Sequence, residues 1–164
     1  MRCSAREALL QCTHSCQRWH GAPVGRYRLQ DFLSVEECFD LLLLIDVFGH
    51  VPGYMVFLKR LRSRANQFIF HISLDMNMLI TVKGKHPKLR KRISYIHYFA
   101  KVTALATLQD CGYKTIDWFY TADYEIPGHE RLISLLRKPL FGLAPHLTVN
   151  LLGGWSMIVL AGPA

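Results

Sequence analysis

From Tyr27 onward, apolar and polar positions fall into blocks whose periods separate strands from helices. Residues 27–32 alternate as a short strand does. Residues 39–45 form an apolar run broken only by Asp40, a length suited to a strand buried on both faces, and the run ends at Asp46. Over 54–65, Met55, Leu58 and Leu61 share one side while Lys59, Arg60, Arg62 and Arg64 lie elsewhere, which predicts an amphipathic helix. Residues 68–74 read as a second buried strand, followed by a long polar and basic connection through 83–87. Residues 103–111 read as a helix stopped by Gly112. Strand composition returns at 113–120 and 155–160, and a helix over 130–143 is expected to break or kink at Pro139.

Strands alternating with helices in this way predict an α/β layer architecture with mainly parallel pairing. Residues 1–26 lack this regularity: 5–19 suit a helix, and Gly21, Pro23 and Gly25 then punctuate the chain up to Tyr27. The expected organisation is therefore a poorly defined segment over 1–26 and one domain over 27–164. A chain of 164 residues, 51% hydrophobic and 20% charged, carries enough apolar material for a core and excludes a mainly disordered protein.

Twenty Lys and Arg against 12 Asp and Glu leave a net charge of +8, concentrated in 59–64 and 83–92. Such a balance attracts nucleic acid, an anionic membrane face or a phosphorylated substrate without choosing among them. Neither basic stretch interleaves aromatic residues, so a solvated basic face is favoured over a base-stacking surface. The longest apolar run, 39–58, is interrupted by Asp40, Asp46, His50, Pro52 and Gly53, and no membrane span is expected. Five cysteines follow no even disulfide framework and no secretory leader is apparent, so a cytoplasmic location is expected. Cys12, Cys16 and His20 lack the spacing of a zinc knuckle, and no metal site is assigned. Cys38 and Cys111 read as small buried apolar residues.

Three segments carry a family likeness. Residues 39–52, FDLLLLIDVFGHVP, resemble the fourth-strand motif of class I S-adenosylmethionine-dependent methyltransferases. Residues 97–113, from His97-Tyr98-Phe99 to Cys111-Gly112-Tyr113, resemble the segment before that family's sixth strand. Residues 153–161, GGWSMIVLA, resemble its antiparallel seventh strand. The resemblance covers roughly 27–161 and implies the C-terminal portion of an incomplete Rossmann-like sheet, mainly parallel, with an antiparallel C-terminal strand. It implies methyl transfer from S-adenosylmethionine to a small-molecule acceptor. It gives Asp31 and Phe32 the adenine contacts, sets Asp46 and His50 at the floor of the cofactor–substrate cleft with His50 as general base, and puts His97 and Tyr98 on the substrate rim. Independently of the family, carboxylates at strand ends suit ligand binding, because open α/β sheets bind at the carboxyl ends of their strands.

Each of these residues has a plainer reading as well. Asp31 suits a turn, Asp46 a strand terminus, His50 a loop cap, His71 a core position, and His97 with Tyr98 the start of a helix. The family's glycine-rich cofactor loop has no counterpart before Tyr27, and Gly49 stands where the family usually has Glu. The resemblance thus points to a truncated or degenerate enzyme. Without its neighbouring strands, Phe39–Ile45 is expected to expose an apolar edge open to self-association. Two other classes stay open: a non-catalytic interaction module using that edge, and a basic nucleic-acid-associated protein.

Overall fold

The structure is a computed structural model that describes residues 16–19, 22–25, 38–93, 95–122 and 131–164. Among the described residues twelve elements succeed one another: β1 (Cys16–Trp19), β2 (Ala22–Gly25), β3 (Phe39–Ile45), α1 (Tyr54–Leu61), β4 (Ala65–Ser73), α2 (Met78–Val82), α3 (His86–Ile93), α4 (Lys101–Asp110), β5 (Tyr113–Ala122), α5 (Arg131–Leu143), α6 (Pro145–Leu152) and β6 (Trp155–Pro163). The first two pair as an antiparallel hairpin. A helix was expected across 16–19; antiparallel pairing with β2, Arg18 opposite Pro23, holds it extended instead.

The other four strands form one α/β sheet in the order β3-β4-β6-β5. Strands β3 and β4 run parallel, with Leu43 opposite Ile69. Strand β6 lies antiparallel to both β4 and β5, with Val159 opposite Phe70 on one side and Trp118 on the other. This is an incomplete Rossmann-like sheet with an antiparallel C-terminal strand, as the sequence predicted; β3, β4 and β5 run the same way, but because β6 lies between β4 and β5 only one of the three pairings is parallel.

The central strands β4 and β6 supply the core. Phe68, Phe70, Met157, Val159 and Ala161 are fully buried, as are Leu58 of α1 and Ala104 and Leu108 of α4. The Tyr113 ring meets Phe68 and Phe70 edge-on at 4.9 and 5.2 Å, and its hydroxyl donates to the Leu58 carbonyl at 2.8 Å. That bond satisfies a polar atom which burial would otherwise leave costly.

Several expectations need correction. Strand β3 is not buried on both faces: Leu44 is buried, but Leu41, Leu43 and Ile45 are 48%, 56% and 61% exposed. Among the described residues β3 pairs with β4 alone, so packing covers only the face shared by Leu42 and Leu44. The basic connection contains two short helices, α2 and α3; Asn77 caps the first by accepting from the Ile80 amide at 3.0 Å. Helix α5 continues through Pro139 to Leu143. Cys111 is a free buried thiol, whereas Cys38 takes part in a disulfide. The segment 27–32 lies outside the described residues.

Candidate functional site

The parallel ladder ends at Asp46, whose amide donates to the His71 carbonyl at 3.0 Å. Asp46 then turns the chain with φ 58°, a left-handed conformation that Asp tolerates better than most residues. This places its carboxylate at the carboxyl end of the sheet, where α/β folds present ligand-binding groups.

The carboxylate is already engaged. The Ser73 hydroxyl donates to one oxygen at 2.8 Å, and the Tyr95 hydroxyl donates to the other at 2.5 Å. The two hydroxyls lie 3.1 Å apart. Each carries a single proton, so when both protons point at Asp46 the contact between them holds no hydrogen bond. Tyr95 is 6% exposed. Burial first, and then its bond to the Asp46 carboxylate, push the phenol well above the ordinary tyrosine range. A raised phenol pKa means the folded state keeps a proton that the unfolded chain releases. Its contribution is therefore constant below about pH 10 and is lost as pH rises beyond that. An alkaline absorbance titration is expected to show late-ionising phenols, and Tyr95→Phe is expected to remove one of them. A Tyr95→Phe titration identical to wild type would contradict this.

Tyr95 is held over Gly49. A Cβ built on Gly49 would lie 3.0 Å from the Tyr95 ring, so the ring occupies the space that a side chain at 49 would need. The Gly49 carbonyl accepts from the Ile96 amide at 2.6 Å and the His97 amide at 3.3 Å. Residues 95–97 are thus strapped across the β3 tip by backbone bonds as well as by the phenol.

Asp46, Gly49, His71, Ser73, Tyr95 and His97 line a recess floored by Phe48 and Phe99, with about 10 Å³ of space. That is room for about one water molecule. The Nδ1 atom of His71 is buried and finds no hydrogen-bond partner there. Among the described residues no three His, Cys, Asp or Glu side chains stand close enough to hold a metal.

The predicted site residues are partly brought together. Asp46 and His97 line the recess; the His97 ring packs edge-on to Tyr54 at 4.7 Å, with Nε2 at 3.3 Å from the Pro52 carbonyl. His50 is exposed and is not among the residues lining the recess, its ring lying 4.7 Å from that of Tyr95. Tyr98 turns away, donating to the His86 carbonyl at 2.9 Å. Asp31 and Phe32 lie outside the described residues. Sequence reasoning missed Ser73 and Tyr95. Strand parity gives one signal for Ser73, which comes two positions after His71 in the same strand; Tyr95 sits in no regular element and gives none.

No protein-family model and no curated protein matches this sequence. Solved structures do. A SAM-dependent methyltransferase structure from Methanosarcina mazei superposes with a TM-score of 0.57 at 9% identity, over 99% of this chain and 79% of that one. A putative methyltransferase from Bacillus halodurans gives 0.51 at 15% identity, over 82% and 70%. Magnesium protoporphyrin IX methyltransferase from Synechocystis, solved with bound SAH, gives 0.49 at 16% identity, over 82% of this chain and 49% of that one. This chain therefore spans about half the length of the Synechocystis enzyme. At such identities the likeness is one of fold.

Proposed function

We propose that this chain derives from the S-adenosylmethionine-dependent methyltransferases and keeps the half of the sheet that faces the methyl acceptor, with its strand-end crevice closed by Tyr95. The strand order β3-β4-β6-β5, parallel and then twice antiparallel, carries this reading, because it brings Asp46 to a sheet terminus of the methyltransferase kind. Fold alone does not fix chemistry, so the reading rests on the site as well.

The recess at Asp46 has no room for S-adenosylmethionine. Ligand pockets for molecules of that size run to about 300 Å³ or more, whereas this recess offers about 10 Å³. The Asp46 carboxylate is taken up by Ser73 and Tyr95, and Gly49 leaves no side chain to compete with Tyr95 for its place. An open, active methyltransferase is the second reading, favoured by His97 and Asp46 lining one recess with His50 just outside it. In that reading a small-molecule acceptor is deprotonated by His50.

Calorimetric titration with S-adenosylmethionine and S-adenosylhomocysteine separates the two. The closed reading predicts no binding tighter than about 1 mM. Tighter binding that Asp46→Ala abolishes would establish the active reading and refute the closed one.

A further inference from the structure

Four long stretches of this sequence contain no acidic residue, 8–30, 47–74, 76–109 and 131–164, and the last two meet in the fold. Between Asp75 and Asp110 there are seven Lys and Arg (83, 85, 88, 90, 91, 92 and 101) and no Asp or Glu, and none occurs after Glu130. The fold brings these last two stretches together. Helix α2 of the first packs on α6 of the second, and Asn77 at the start of α2 lies against Gly153 at the end of α6, where a Cβ would come within 2.2 Å of the asparagine side chain. Helix α5 is tied to the same place by Arg137, whose guanidinium donates to the Leu152 carbonyl at 2.9 Å.

Large apolar side chains stand in water on these joined helices. Met78 and Val82 of α2 are 57% and 74% exposed; Leu143, at the α5–α6 turn, and Leu147 of α6 are 83% and 58% exposed. Scattered exposed apolar residues are ordinary, whereas grouped ones mark interaction surfaces, and the packing of α2 on α6 sets these two pairs on neighbouring helices. Helix α3 comes directly after α2 and presents Lys88, Arg90 and Lys91, all exposed.

We propose that the α2–α6 face, with the cationic α3 beside it, docks on an anionic lipid surface. Apolar side chains that enter the headgroup boundary, flanked by lysine and arginine that meet lipid phosphates, are the two components of peripheral membrane binding. The charge complementarity favours this occupant over a neutral protein. The exposed leucines and methionine favour it over nucleic acid, which would call for stacking aromatics among the cations. No described helix is long and apolar enough to cross a bilayer, and the contact proposed is with its surface.

The test is flotation of the whole chain with vesicles of phosphatidylcholine alone and with added phosphatidylserine. Binding is expected to the anionic vesicles and to fall steeply with salt. Each interfacial cation contributes about fivefold, so Lys88→Gln/Arg90→Gln/Lys91→Gln should weaken partition about 100-fold. Leu143→Asp/Leu147→Asp should weaken it at least about tenfold with the circular dichroism spectrum unchanged. Equal flotation with both vesicle types, or none with either, would overturn the proposal. So would a leucine variant that floats like wild type while the cation variant loses binding to random RNA, or one that converts a dimer to a monomer in light scattering. Calorimetry with S-adenosylmethionine is independent of all these outcomes, so the methyltransferase reading and the membrane proposal fail separately.

Discussion

Phe70→Ala is expected to remove a large part of the chain's folding free energy. The Phe70 ring is fully buried in β4 and touches three other rings: Phe48 at 5.5 Å, Phe68 at 5.8 Å and Tyr113 at 5.2 Å. Removing it forfeits the transfer free energy of the ring and leaves a cavity bounded by β-sheet backbone, which cannot collapse inward. Substitutions of this kind cost about 3–5 kcal/mol, against a total stability of about 5–15 kcal/mol for domains in general. The cost would also spread to the recess, because Phe48 packs on Phe70 and on Phe99 at 5.9 Å, and Phe48 and Phe99 together floor it. Urea unfolding followed by circular dichroism measures the effect. A midpoint within error of wild type would mean that the β4 core is misassigned.

The second large effect is expected at Gly49. Glutamate, the residue usual at this place in the methyltransferases that the sequence resembles, would put its Cβ 3.0 Å from the Tyr95 ring and add a carboxylate beside Asp46. Gly49 is buried and its φ is not positive, so the strain comes from the neighbour and not from the backbone. Overpacking costs about 1–3 kcal/mol, and a poorly solvated charge adds to that. The cheapest relief is for the Tyr95 ring to swing out, which breaks its bond to Asp46. Gly49→Glu is therefore expected to lower stability by about 3 kcal/mol and to return the Tyr95 phenol toward the ordinary range. Gly49→Ala should show a weaker version of both effects. Unchanged stability in Gly49→Glu, read by the same urea unfolding, would mean that Tyr95 does not hold the place described.

Much of the fold was legible because its central strands are long, apolar and bounded by turn chemistry. Phe68 to Ser73 and Trp155 to Leu160 announce themselves by composition, and Gly112, with φ 82°, ends α4 where a left-handed residue is needed. Strand β3 was legible as a strand and misleading as a buried one, since FDLLLLI gives no sign of which face a helix covers. Helices α2 and α3 were hidden by their polarity: α3, with sequence HPKLRKRI, has too few apolar positions to show a period.

The candidate site divides in the same way. Asp46 was visible because it ends a strand, and strand ends are where such sheets bind. Its two hydrogen-bond donors were not, because Ser73 and Tyr95 come from positions 27 and 49 residues further along the chain. Only the parallel register of β3 with β4, and the crossing of residues 95–97 over Gly49, bring them in. The absence of a side chain at Gly49 was legible as a difference from the motif it resembles; the ring that fills the space there was not.

The account turns on Tyr95 sealing the tip of β3, and nuclear Overhauser spectroscopy of the free chain tests that most directly. Cross-peaks between the Gly49 α-protons and the Tyr95 ring are predicted, together with Asp46 and Gly49 amide shifts that do not move when S-adenosylhomocysteine is added. Absence of those cross-peaks, or movement of those amides with the ligand, would contradict it.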